Sequence, residues 1–233
     1  MIIQAVPPFP LRPIRSFVRR EGRISKAQVS AWERLWPIYG LSDTEEGFLA
    51  LEQVFGRFAE TILEIGFGDG HSLAEMAKNA PEKNFIGIEV YRTGVGNLLT
   101  LIEKYQLSNI RIFCADALGI LERKILDNSL TTVQLFFADP WPKVRHHKRR
   151  IVQPAFIKLV AKKLKNTGTF HLATDWMDYA YHMMQVLSDS LDFVNTCGSA
   201  QFTPRPLFRP LTKYEQRGLR LGHQTWDLIF RKK

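Results

Sequence analysis

Cysteine is scarce in this chain of 233 residues, with Cys114 and Cys197 as the whole supply. Two thiols make no disulfide framework, so the expectation is a reduced, cytoplasmic setting. Long apolar runs are missing as well. No stretch approaches the roughly 18 consecutive apolar residues of a membrane span. The opening MIIQAVPPFPLRPIR sets prolines where a signal peptide needs an apolar helix, so neither membrane nor export is expected. Internal repeats and low-complexity linkers are absent too. What remains is a globular composition: 45% hydrophobic against 24% charged residues suffices for one substantial core and excludes a disordered tail, a collagen-like repeat or a coiled coil. The formal net charge of +9 permits a polyanionic partner without naming one.

The first 26 residues stand apart. Pro7, Pro8, Pro10 and Pro13 forbid a regular helix, and Arg12, Arg15, Arg19, Arg20, Arg23 and Lys26 follow as a basic arm. Residues 27–233 then read as a single domain. From Thr61 onward, buried strands are expected at 61–65, 85–90, 110–115, 133–138 and 169–173, rich in branched and aromatic residues. Helices are expected near 71–79, 92–105, 117–126, 151–165 and 178–187. In 151–165, Phe156, Leu159, Val160 and Leu164 share one face, and Asn166 and Gly168 supply a stop. Strand–helix alternation means an α/β fold, a mostly parallel sheet with helices on both faces. A last strand at 225–231 is expected to return antiparallel.

The strongest local signal is ILEIGFGDG, residues 62–70. Gly66, Gly68 and Gly70 make a tight turn between a strand and a helix, where backbone with positive φ lets a ligand lie against the main chain. A dinucleotide fingerprint requires Gly-x-Gly-x-x-Gly, and His71 breaks that spacing. Glu64, two residues ahead of the first glycine, disfavours a pyrophosphate and favours a cationic ligand such as the methionine moiety of S-adenosylmethionine. Glu89 ends the next strand, where a carboxylate can accept ribose hydroxyls, and Asp116 ends the third, within reach of an adenine amino group.

The fourth strand runs into ADPWPKVRHHKRR, residues 138–150. Asp139 falls beside the reaction centre, in a loop stiffened by Pro140 and Pro142 around Trp141. Lys143, Arg145, Lys148, Arg149 and Arg150 follow with His146 and His147 among them, a density suited to a phosphate backbone. Two histidines among cations, without Cys or carboxylate, are a poor metal site, and no metal is expected.

Taken together, ILEIGFGDG, FIGIEV, DPWPKVRHHKRR, ATDWMDYA and TKYEQRGLRLGH resemble the bacterial tRNA (guanine-N7-)-methyltransferase family, from about residue 15 to the C-terminus. Val144 departs from the family's pattern where a further Lys is common, and Ala138 where Pro often precedes the Asp. The resemblance implies a Rossmann-like methyltransferase fold, S-adenosylmethionine as cofactor, and methylation at N7 of a guanine in the variable loop of tRNA. It marks Asp139 as the active-site residue, and puts Lys143, Asp175, Thr212, Lys213, Tyr214 and Glu215 at the substrate. The run Arg145, His146, His147, Lys148, Arg149 and Arg150 becomes the RNA-contact segment. On the residues alone, Asp175 reads equally as a helix cap and Glu215 as a surface acid. Three other readings remain: an amide methyltransferase, a non-catalytic RNA-binding module and an NAD-dependent oxidoreductase. Oligomeric state, monomer or homodimer, is left open.

Overall fold

The apolar runs line up as one seven-stranded sheet in a computed structural model that describes residues 14–18, 22–220, 222 and 224–233, apart from the side chains of 213, 214, 217 and 219. Its strands are β1 (Thr61–Ile65), β2 (Asn84–Ile88), β3 (Ile110–Phe113), β4 (Leu130–Phe136), β5 (Leu164–Thr174), β6 (Phe193–Asn195) and β7 (Trp226–Lys232). Their order is β3-β2-β1-β4-β5-β7-β6. The first five are parallel, and β7 runs antiparallel to β5 and β6. The helices are α1 (Lys26–Tyr39), α2 (Leu51–Phe55), α3 (His71–Asn79), α4 (Arg92–Tyr105), α5 (Ala117–Arg123), α6 (Pro154–Lys163), α7 (Met177–Ser188) and α8 (Lys213–Arg220).

Two apolar cores result. On one, Phe85 and Ile112 pack with Leu73, Val95, Leu98 and Ile102; on the other, Ile86, Ile88 and Leu135 pack with Ile120, Phe156, Val160 and Met183. Each such side chain contributes about 1.5–3 kcal/mol on full burial. Because β1 lies between β2 and β4, the strand order reverses there and opens a crevice at the carboxyl ends of β1 and β4.

The expected antiparallel last strand is found, one residue later than read. The helix expected over 151–165 is shorter. It starts at Pro154, whose missing N–H costs nothing in a first turn. It ends at Lys163 because Leu164 already pairs with Leu130 of β4. Asn166 and Gly168, read as a helix stop, therefore lie inside β5, where a register shift and Thr167 at φ 66° absorb the irregularity.

Between 27 and 60 the sequence yielded no element, and the structure has α1 and α2 there. Helix α1 opens on a reciprocal cap: Gln28 N–H donates to Ser25 Oγ at 3.2 Å, and Ser25 N–H donates to Gln28 Oε1 at 2.9 Å. Its Trp32 and Trp36 stack 4.7 Å apart beside α4, with Arg92 over Trp32. The segment it introduces then joins the sheet edge, where Leu41 N–H donates to Ile112 O. No helix among the described residues is long and apolar enough to cross a membrane.

Candidate active site

The crevice is a cleft of about 610 Å³, lined by the first glycine turn, the ends of β2 and β4, and the loop after β3, within the size range of small-ligand sites. Gly66 (φ 71°) and Gly68 (φ 59°) hold positive φ, and a Cβ at either would meet nothing within 4 Å, so their bare backbone forms an open cradle. Gly94, in the first turn of α4, lets this loop be flanked closely: a Cβ there would lie 2.1 Å from the Gly68 carbonyl oxygen.

Glu89 is clamped at the end of β2. Its Oε2 accepts from Gly68 N–H at 2.8 Å and its Oε1 from Val90 and Tyr91 N–H at 2.6 and 3.1 Å. Burial pushes its pKa up, against those backbone bonds, and nearby Asp139 adds to the rise. Glu64 lies behind the wall rather than on it. It is 2% exposed, its Oε2 has no hydrogen-bond partner among the described residues, and burial, with Glu89 and Asp69 adding, pushes its pKa up to about 8. Its register neighbour on β4, Gln134, also has its Oε1 unpaired among the described residues.

Asp116 lines the cleft and also caps α5, accepting from Leu118 N–H at 3.2 Å. Asp139 lines it from the end of β4, exposed to solvent. Gly70, the third glycine, takes φ 76° at the head of α3, where a Cβ would fall 2.7 Å from that of Leu98; it serves packing and does not line the cleft.

The loop after Asp139 forms a 3₁₀ helix, Val144–Arg149, and sorts the basic run into separate roles. Lys143, Arg145 and Lys148 are exposed. His146 packs edge-on to Trp141, and burial with the cations around it pushes its pKa down. His147 is partly buried, 3.8 Å from Asp178. Arg149 lies 3.8 Å over the Trp141 ring and donates to the carbonyls of Arg15 and Phe17. Arg150, read with the RNA contacts, is corrected by its burial. Only 2% exposed, it donates to Pro140 O at 2.9 Å, pairs with Asp178 and lies over Tyr179, so it anchors the loop from inside.

On the far side of Asp139, Asp175 follows β5, exposed and without a side-chain hydrogen bond among the described residues. It is not a cap: the cap position of α7 is Trp176, whose N–H is taken by Thr174 Oγ1. Thr212 and Glu215 form a reciprocal cap on α8, Thr212 N–H to Glu215 Oε2 at 3.0 Å and Glu215 N–H to Thr212 Oγ1 at 3.1 Å. Glu215 is no surface acid; it is 3% exposed and paired with Arg209. The side chains of Lys213 and Tyr214 lie outside the described residues.

The sequence reading missed one whole wall. Ser16 and Phe17 from the arm, with Gln28, Thr93 and Asn97, also line the cleft. Trp141 Nε1–H donates to Ser16 O at 3.0 Å, and the Tyr91 hydroxyl donates to Val18 O. Residues 16–18 are thus strapped at the cleft by side chains of two loops. Only the PWP loop's stiffness hinted at this, because main-chain acceptors carry no sequence signature.

These features fit S-adenosylmethionine: a glycine cradle that any Cβ would fill, a buried carboxyl oxygen without a partner behind it, and two carboxylates at successive strand ends. Solved structures share the architecture. A 16S rRNA methyltransferase, KamB, aligns at TM-score 0.59 and 14% identity, covering 83% of this chain and 98% of that one. An antibiotic-related methyltransferase aligns at TM-score 0.51 and 20% identity over the same shares. The fold is therefore that of the Rossmann-like methyltransferases.

Residues 59–228 match a family model described as "Putative methyltransferase". The tRNA (guanine-N(7)-)-methyltransferase of Aeromonas hydrophila subsp. hydrophila is 55% identical, covering 95% of this chain and 93% of that protein. That of Alkalilimnicola ehrlichii is 57% identical over 95% and 94%. The chain belongs to the tRNA (guanine-N(7)-)-methyltransferase family.

Proposed function

We propose that this chain methylates N7 of a guanine in the variable loop of tRNA, using S-adenosylmethionine. The observation that carries the reading is the placement of Asp139: it lines the glycine-turn cleft near Glu89 and opens directly into an exposed basic helix. A carboxylate beside a cofactor cradle and a cationic rim is what methyl transfer to a polyanion requires.

When bound, S-adenosylmethionine supplies an activated methyl group, so the protein's task is alignment. Guanine N7 has an in-plane lone pair and no proton. That lone pair would take the methyl group the bound cofactor supplies, and the base would then carry a positive charge. No general base is needed. Asp139 positions the base and offsets that charge. Glu89 and Asp116 with the backbone of Gly66 and Gly68 hold the cofactor, Glu64 acts on its charge from behind that wall, and Gly70 shapes their turn. Lys143, Asp175 and the Thr212–Glu215 segment, Lys213 and Tyr214 included, form the substrate side. Arg145, His146, His147 and Lys148 contact the phosphate backbone, together with the basic arm of residues 1–26, an extension of the single domain 27–233; Arg149 holds that arm's carbonyls at 15 and 17. A tRNA substrate puts the site of action in the cytoplasm.

Incubation with methyl-labelled S-adenosylmethionine and unmodified bulk tRNA, followed by nucleoside analysis, tests this. Labelled N7-methylguanosine is expected. Label in another nucleoside would remove the base assignment and keep the cofactor; no label with cofactor bound would remove the tRNA acceptor.

A further inference from the structure

Arg209 is the largest fully buried side chain among the described residues. It comes from the loop between β6 and β7, in the run Pro206-Leu207-Phe208-Arg209-Pro210, where Leu207 is 97% exposed and Arg209 not at all. Its guanidinium makes four charge-assisted bonds to two carboxylates. Nη1 and Nη2 donate side by side to Glu215 Oε2 and Oε1 at 2.6 and 2.7 Å, while Nε and Nη2 donate to Asp227 Oδ1 and Oδ2 at 2.7 and 2.8 Å. Asp227 belongs to β7 and also accepts from His171 of β5 at 2.7 Å. Burial alone would push the guanidinium pKa down; the two carboxylates outweigh it and raise it, so the group stays charged. Burial pushes the His171 pKa down, against its bond to Asp227, which raises it.

A buried ion cluster is a poor means of stabilisation, because well-packed apolar side chains often do as well. What a forked guanidinium adds is geometry: it fixes two carboxylates in one plane and at one separation. Here the two belong to different elements. Asp227 is part of the sheet, whereas Glu215 closes the cap that starts α8. The same guanidinium lies 5.7 Å from the ring centres of Phe136 and Phe137. Phe137 lines the cleft, two residues ahead of Asp139, with its backbone at φ 54°.

We propose that Arg209 is a positioning residue for methyl transfer: it latches the Thr212–Glu215 turn to β7 beside the base of the Asp139 loop, and Glu215 acts through it rather than on the guanine. Both Glu215 oxygens are already taken, one of them twice. Reading of the guanine's ring and amino protons then falls to Asp175, the exposed carboxylate on that side. The inference rests on methyl transfer to tRNA guanine, so wild-type protein is run alongside every variant.

The test is a double-mutant cycle with Arg209→Lys, which keeps the charge and loses the fork, and Glu215→Gln. Steady-state kinetics with tRNA, cofactor Kd by calorimetry and amide exchange over 212–216 are read for each. Arg209→Lys is expected to lower kcat at least about tenfold, with cofactor Kd within about twofold and faster exchange at 212–216. Glu215→Gln should do the same, and the double variant should be no worse than the worse single, as for residues acting as one unit. Unchanged kcat and tRNA KM in folded Arg209→Lys would overturn the proposal, as would losses that multiply in the double variant, since these would mean that Glu215 acts independently. If Arg209→Lys fails to fold, Glu215→Gln, which leaves Arg209 paired with Asp227, is judged on the same kinetic criteria, with unchanged kcat overturning the proposal. Wild-type protein that makes no N7-methylguanosine removes the functional reading itself, an outcome distinct from an active Arg209→Lys.

Discussion

Each carboxylate of the cleft has a different environment, and its chemistry follows from that. Asp139 is exposed at the end of β4, while Glu64 is buried with one oxygen unpartnered among the described residues. Asp139→Ala should lower kcat by about a hundredfold or more, as loss of one aimed electrostatic group does, and change cofactor Kd little; single-turnover kinetics beside calorimetry separates the two. Glu64 carries its proton below about pH 8 in the free protein. A cation bound next to it favours the carboxylate, so binding expels that proton and its affinity rises as pH climbs toward that value, then levels off. Calorimetry of S-adenosylmethionine binding across this range should show the rise in wild type and a flatter curve in Glu64→Gln. Gly94 is a steric case: Gly94→Ala drives a Cβ into the Gly68 carbonyl. It should cost about 1–3 kcal/mol, the usual range for overpacking, seen as a lower thermal midpoint along with weaker cofactor binding.

At the scale of elements, the 3₁₀ helix joins two functions. Its outer cations face solvent, while Arg149 and Arg150 face inward, one holding the arm and the other the loop. Among the described residues, the arm segment 15–18 is held by Trp141 Nε1–H, the Tyr91 hydroxyl and Arg149, all donating to its carbonyls. Trp141→Phe combined with Tyr91→Phe should release it. Trypsin should then cut after Arg15 much faster while the remaining domain resists, as expected for local opening; an unchanged cutting rate would show that Arg149 alone suffices. Residues 145–150 were legible as a basic block but not as this division of labour. Five of these positions lie on a tight helix and the sixth, Arg150, caps it, so they point in different directions, and only the packing of Asp178 and Tyr179 decides that Arg150 turns inward.

For the whole molecule, the excess of nine positive charges and the exposed Lys143, Arg145 and Lys148 set the salt response. The logarithm of tRNA affinity should fall linearly with the logarithm of salt concentration. Replacing Arg145 and Lys148 together with Ala should reduce that slope by about 1 for each phosphate left without its cation, measured by filter binding at several salt concentrations.

Local rules were enough for much of the architecture. The strand cores of β1 to β5, the helices α3 and α4, the glycine turn and the carboxylates at strand ends could be read because alternation, helical period and glycine spacing are properties of neighbouring residues. Elements that owe their form to distant partners were hidden. Helix α1 settles against α4, β6 is three residues long beside β7, and the start of β5 at Leu164 exists because Leu130 is there to pair with it. The same divide runs through the site. Gly66, Gly68, Glu89, Asp116 and Asp139 followed from their positions at strand ends, since a parallel sheet brings successive carboxyl ends to one edge. That Ser16 and Phe17 close the cleft, that Glu64 sits behind its wall, and that Glu215 is bound into a buried cluster by Arg209 depended on tertiary structure. Burial and pairing are decided by which chain segments meet, and residues 15, 149, 209 and 227 meet only after the sheet has formed.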